Sequence, residues 1–113
     1  MSLHSFEGAS GQHYDYLSLN LKSREAFPMS GGNYLFTRPS GKGEAIVCAG
    51  ESESLWIDFV SAGRWELAKK KYGATAAYVR LNHDQMARRL EQQDLIEKHS
   101  PPMNIDALKE QAS

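Results

Sequence analysis

Hydrophobic positions along this chain change period several times, and each change marks an element. From Tyr14 to Leu21 the side chains nearly alternate, with Leu17, Leu19 and Leu21 on one face, which predicts a strand. Tyr34–Thr37 and Ala45–Ala49 are two further strand-favouring runs, separated by Pro39, Ser40, Gly41, Lys42 and Gly43. That order predicts a β-hairpin with a longer loop. Alternation sets Tyr34 and Phe36 on one face of its first strand and Ile46 and Cys48 on one face of its second, bringing a tyrosine near Cys48. After Gly50 the period lengthens. Leu55, Trp56, Phe59 and Val60 fall at helical spacing behind a Ser52 or Ser54 cap, and Ala62-Gly63 ends that helix. A second helix is expected over residues 64–72, with Trp65, Ala68 and Tyr72 inward, Glu66 near its start and Gly73 as its stop. Thr75 to Leu81 alternates again, as a strand should. Asn82 and Gln85 resemble a capping box that opens a long helix, about His83 to His99, whose apolar side is Met86, Ala87, Leu90, Leu95 and Ile96; Pro101 and Pro102 close it.

The ends carry less pattern. Residues 1–12, rich in Gly, Ser and His, predict a flexible arm; 13–104 form one domain; 105–113 are a short helix around Ile105 and Leu108 or a frayed tail. Ser23 to Pro28 allows a single helical turn before Gly31 and Gly32. Strand, hairpin, two helices, strand and helix in that order predict an α/β (α+β) fold: a small, mainly antiparallel sheet of three or four strands flanked by helices. With 113 residues the chain suits one core without staples. Thirteen basic against fourteen acidic residues give a formal charge of -1, so any nucleic-acid binding needs a local basic face. A single cysteine and no zinc spacing point to a reducing compartment. No run of about 18 apolar residues exists for a membrane span, nor an apolar run of signal-peptide length at the start; the expectation is a soluble, cytoplasmic protein.

Gly32-Asn33-Tyr34-Leu35-Phe36, a turn, Val47-Cys48-Ala49-Gly50-Glu51, two helices, a strand, and Asp94-Leu95-Ile96 running into Pro101-Pro102-Met103-Asn104 together resemble the GIY-YIG nuclease domain over residues 31–104. The resemblance implies a phosphodiester-cleaving DNA enzyme with one divalent metal, magnesium or manganese. A first tyrosine helps deprotonate water, a second lies beside it, a helical arginine steadies the phosphate and a glutamate holds the metal. Matched residue by residue, Tyr34 keeps the first tyrosine. Cys48 replaces the second and lacks a phenol. Asp58 falls where the arginine should be, and its charge would repel phosphate. Gln92 replaces the metal glutamate, an amide in place of a carboxylate. Glu91 is adjacent but turned by about 100° around the helix.

Against these readings stand plainer ones. Tyr34 suits packing on the sheet, Cys48 a buried inert thiol, and Glu91 a solvated helix face. Arg64, Lys69, Lys70, Lys71, Arg88 and Arg89, with Arg80, are candidates for a phosphate-facing surface, though lysines at a helix end are also what the helix dipole favours. Trp56 and Trp65 read as core, His83 and His99 as surface, and Asn104 as a hydrogen-bonding pin for the chain end. The leading expectation is a catalytically degenerate domain that binds DNA or RNA, or a protein, with no cofactor and no membrane partner. The alternative is an active endonuclease using Tyr34 and Glu91 with magnesium or manganese; a third is a structural or oligomerising domain.

Overall fold

The computed structural model describes residues 3–19, 28–41, 43–58 and 63–112. Strands β1 (Leu3–Glu7), β2 (His13–Ser18), β3 (Gly32–Ser40), β4 (Gly43–Ser52) and β5 (Ala76–Leu81) form one sheet in the order β1-β2-β5-β3-β4, antiparallel throughout. Helices α1 (Arg64–Tyr72), α2 (Gln85–His99) and α3 (Pro102–Ala112) complete an α+β fold. The sheet divides the core in two. Tyr34, Phe36, Val47, Cys48, Ala77 and Val79 pack on one face with Leu55, with Trp65 and Ala68 of α1, and with Met103 of α3. On the other face Tyr14, Tyr16, Leu35, Ile46, Ala49 and Tyr78 pack with Leu95 of α2.

The hairpin is longer than its apolar runs suggest, because Arg38–Ser40 keep pairing with Gly43–Ala45 up to the turn. Its register shifts between Phe36, opposite Cys48, and Thr37, opposite Ile46, so Val47 is an extra residue. This bulge breaks the alternation. Ile46 and Cys48 therefore do not share a face as strict alternation predicts; Val47 and Cys48 do. Gly50 lies opposite Tyr34, and a Cβ there would meet the tyrosine ring at 2.1 Å, so only glycine lets the ring lie across β4.

The expected arm is a strand at residues 3–7. Its Phe6 sets its ring edge against Tyr16 and Tyr78, at 5.8 Å and 5.3 Å, and its Glu7 meets Lys98 and accepts from His99 through its carbonyl. Asp94 of α2 fastens the turn after β1, accepting from Ser10 N at 2.8 Å, Ser10 Oγ at 2.7 Å and the Tyr14 hydroxyl at 2.8 Å. These bonds hold its carboxyl below the usual range. Sheet size consequently exceeds three or four strands.

Helix α1 matches its expected span, and the strand expected over residues 75–81 begins at Ala76. Residues 55–58 make a helical turn as expected; Phe59, Val60 and Ala62 of that helix, Leu21, and Ser23–Phe27 lie outside the described residues. For α2 the cap is Asp84, not Asn82: Asp84 Oδ1 accepts from Met86 N and Ala87 N, while Asn82 Oδ1 accepts from Asp84 N. Pro102 stands at the first turn of α3, which is a full helix of 11 residues.

The expected apolar side of α2 is buried only in its second half, where Leu95 enters the core and Ile96 packs against it. Met86 and Leu90 are 73 % and 67 % exposed, whereas Arg88, Glu91 and Leu95 face inward. The charges are buried because each finds a partner. Arg88 Nε donates to Glu51 at 2.9 Å and its guanidinium to the Asn82 carbonyl at 2.9 Å; Glu91 meets Arg80 and accepts from the Tyr16 hydroxyl.

Candidate functional site

Tyr34, from the strand next to the edge, and Cys48, from the edge strand itself, project towards α1. The first residue of α1 completes the group. Gly63 has a left-handed backbone (φ 69°), and Arg64 directly follows it. The Arg64 guanidinium lies 3.6 Å from Cys48 Sγ and hydrogen-bonds the Tyr34 hydroxyl. Tyr34 also feels the charge of Asp58. The sequence count puts the phosphate-steadying position at Asp58, but the arginine that reaches Tyr34 and Cys48 is Arg64.

Electrostatics set what these groups can do. Burial pushes the Tyr34 phenol well up, with the neighbouring thiol adding to it and Arg64 opposing. Burial likewise raises the Cys48 thiol against the pull of Arg64. A phenol and a thiol kept neutral at pH 7 are poor bases and nucleophiles, and here they serve as hydrogen-bonding walls. Burial alone would lower Arg64, but its contacts with Tyr34 and Cys48 raise it, so it stays cationic. Among the described residues its buried Nε–H meets no acceptor and no carboxylate pairs with it.

Beside Arg64 opens a cleft of about 290 Å³, lined also by Gln92, Gln93, Ile96, Asn104, Ala107 and Leu108. A second of about 200 Å³, on the α1–α3 side, is also lined by Arg64, together with Lys71, Tyr72, Asp106 and Glu110. The first cleft lies against the open edge of β4, where two amides do the work of a missing strand. Asn104 accepts from Ala49 N and donates to Ala49 O, both at 2.8 Å, and Gln92 Nε2 donates to the same carbonyl at 3.2 Å. Asn104→Leu should therefore cost about 2 kcal/mol in chemical denaturation, and Gln92→Leu less than about 1, because Asn104 still satisfies the carbonyl.

The remaining candidates do not gather here. Glu91 sits on the α2 side with Tyr16 and Arg80, so the sheet lies between it and Tyr34. It is neither a solvated glutamate nor placed to share an ion with Tyr34. Arg88 is 3 % exposed and bonded to Glu51, which removes it from any phosphate-facing surface; Arg89 lies 3.6 Å from the same Glu51. Lys69 pairs with Glu66 and lies over Trp65, and Lys71 lies over Tyr72. With α1 on one face and α2 on the other, these cations form no single stripe. Among the described residues no group of three or more His, Cys, Asp or Glu could hold a metal ion, and no helix is long and apolar enough to cross a membrane. The role of Arg64 beside Tyr34 had one signal in the sequence, a basic residue directly after the Gly63 break.

No family model, curated protein or solved structure matches this chain.

Proposed function

We propose that this chain is a non-hydrolysing nucleic-acid-binding module that receives a phosphate on Arg64, built like a GIY-YIG domain whose catalytic groups have been replaced. The observation that carries the reading is the Arg64 guanidinium, held between the Tyr34 hydroxyl and Cys48 at the head of an open cleft, with a buried Nε–H that meets no acceptor among the described residues. A planar, permanently charged fork that forms no ion pair among the described residues favours phosphate. Tyr34, Cys48 and an arginine also meet as tyrosine, tyrosine and arginine do in the resemblance. Loss of hydrolysis is supported by the donor set: the position matching the metal glutamate is Gln92, whose amide is bonded to Ala49, and the nearby Glu91 is engaged with Arg80 and Tyr16.

Anisotropy titration of labelled single-stranded DNA, duplex DNA and RNA tests this. Binding should weaken with salt. Arg64→Ala should reduce affinity about tenfold or more, as expected for a charge-assisted hydrogen bond worth about 1.5–3 kcal/mol, while Arg64→Lys retains part of it. No binding to any of the three at low salt, or magnesium-dependent cutting that Tyr34→Phe abolishes, would refute the proposal.

A further inference from the structure

The cleft beside Arg64 has two chemically distinct walls, and only one of them is electrostatic. Next to the guanidinium stand the amides of Gln92, Gln93 and Asn104; beyond them Ile96, Ala107 and Leu108 make an apolar floor, with Leu108 63 % exposed although it is a leucine. Gln92 and Gln93 each commit one N–H, to the Ala49 carbonyl and to Glu97 Oε1, which leaves each amide a carbonyl oxygen able to accept. Charge, amide acceptors and an apolar surface thus line one space of about 290 Å³, near the lower end of ligand-site volumes. A duplex would need a broad basic surface, and the basic residues are divided between the two faces of the sheet.

Resting on the anion reading of Arg64, we infer that this cleft seats one unpaired nucleotide, its phosphate on Arg64, its base against Ile96 and Leu108, and its polar edge towards Gln92 and Gln93. The seat suits a nucleotide within or at the end of a single strand, and equally a free nucleoside monophosphate, because the chemistry presented is the same. Base contact with a non-polar wall tolerates every base, and the amide oxygens add preference for edges bearing N–H.

The test uses the full chain and four probes: a short labelled oligodeoxyadenylate, the same backbone made abasic, a duplex without unpaired nucleotides, and adenosine monophosphate as competitor. Leu108→Asp, at a position 63 % exposed, should weaken the adenylate strand about tenfold, and the abasic strand should bind more weakly than the adenylate by a similar factor. Competition by adenosine monophosphate assigns the seat to free nucleotides as well as strands; its failure, with the base still required, assigns it to strands alone. Equal affinity for adenylate and abasic strands, or duplex binding as tight as the single strand, overturns the nucleotide seat. If Arg64→Ala still abolishes that binding, the phosphate contact stands without it, whereas no affinity for any probe removes both.

Discussion

Replacing Arg88 by methionine should lower the free energy of unfolding by about 3–5 kcal/mol, the usual loss when one partner of a buried ion pair is removed. Its side chain is 3 % exposed and Glu51 only 16 %, and the guanidinium also satisfies the Asn82 carbonyl. Asn33 donates to the Arg88 carbonyl at 2.9 Å, so this turn of α2 is bonded to β3 by backbone and to β4 by side chain. Urea denaturation of Arg88→Met reads the loss directly. A double variant, Glu51→Leu with Arg88→Met, should recover a substantial part, since no uncompensated charge is then left inside. A phosphate-contacting Arg88 would behave differently: the single variant would bind nucleic acid less well and unfold almost normally.

Glu91→Ala should cost about 2–3 kcal/mol at pH 7, somewhat less than Arg88→Met, because Arg80 is 38 % exposed and can return to water while the buried Tyr16 hydroxyl loses its acceptor. The pH dependence gives a second handle. Burial raises the Glu91 carboxyl above its ordinary value, and the Tyr16 hydrogen bond and Arg80 only partly offset this. The folded state therefore holds that proton more tightly than the unfolded one. Stability from this group is present below the ordinary carboxylate value and declines as pH rises from there through the raised folded value. Glu91→Gln should flatten that part of the stability curve, as measured by denaturation across mildly acidic pH. An unchanged profile would mean that Glu91 titrates as it does in water.

These two residues also explain where sequence reading stopped short. Alternation located β2, β3, β4 and β5, and dipole-matched charges with Gly73 located α1, because each of those signals is local. On α2 the same method selects Met86 and Leu90, which are exposed, over Arg88 and Glu91, which are buried. Burial of a charge depends on partners far away in the chain, here Glu51, Tyr16 and Arg80, and no window of neighbours contains them. Residues 3–7 are similarly silent alone: β1 is held by Phe6 against Tyr16 and Tyr78 and by a turn fastened to Asp94. The Val47 bulge has no residue signature either, yet it decides that Cys48 rather than Ile46 faces α1. For the candidate site, Tyr34 and Cys48 were legible as neighbours from the hairpin. Arg64 was legible only as one cation among several, because its arrival depends on how α1 docks.

The two margins of the sheet are not equivalent. At Ala49 both backbone groups are taken by Asn104, with Gln92 on the carbonyl as well, so an incoming chain could not run an unbroken ladder along β4 past that residue. Among the described strands, β1 forms the opposite margin. A strand laid along the β4 margin would meet its interruption at Ala49, and the interruption rests on one asparagine after a proline pair.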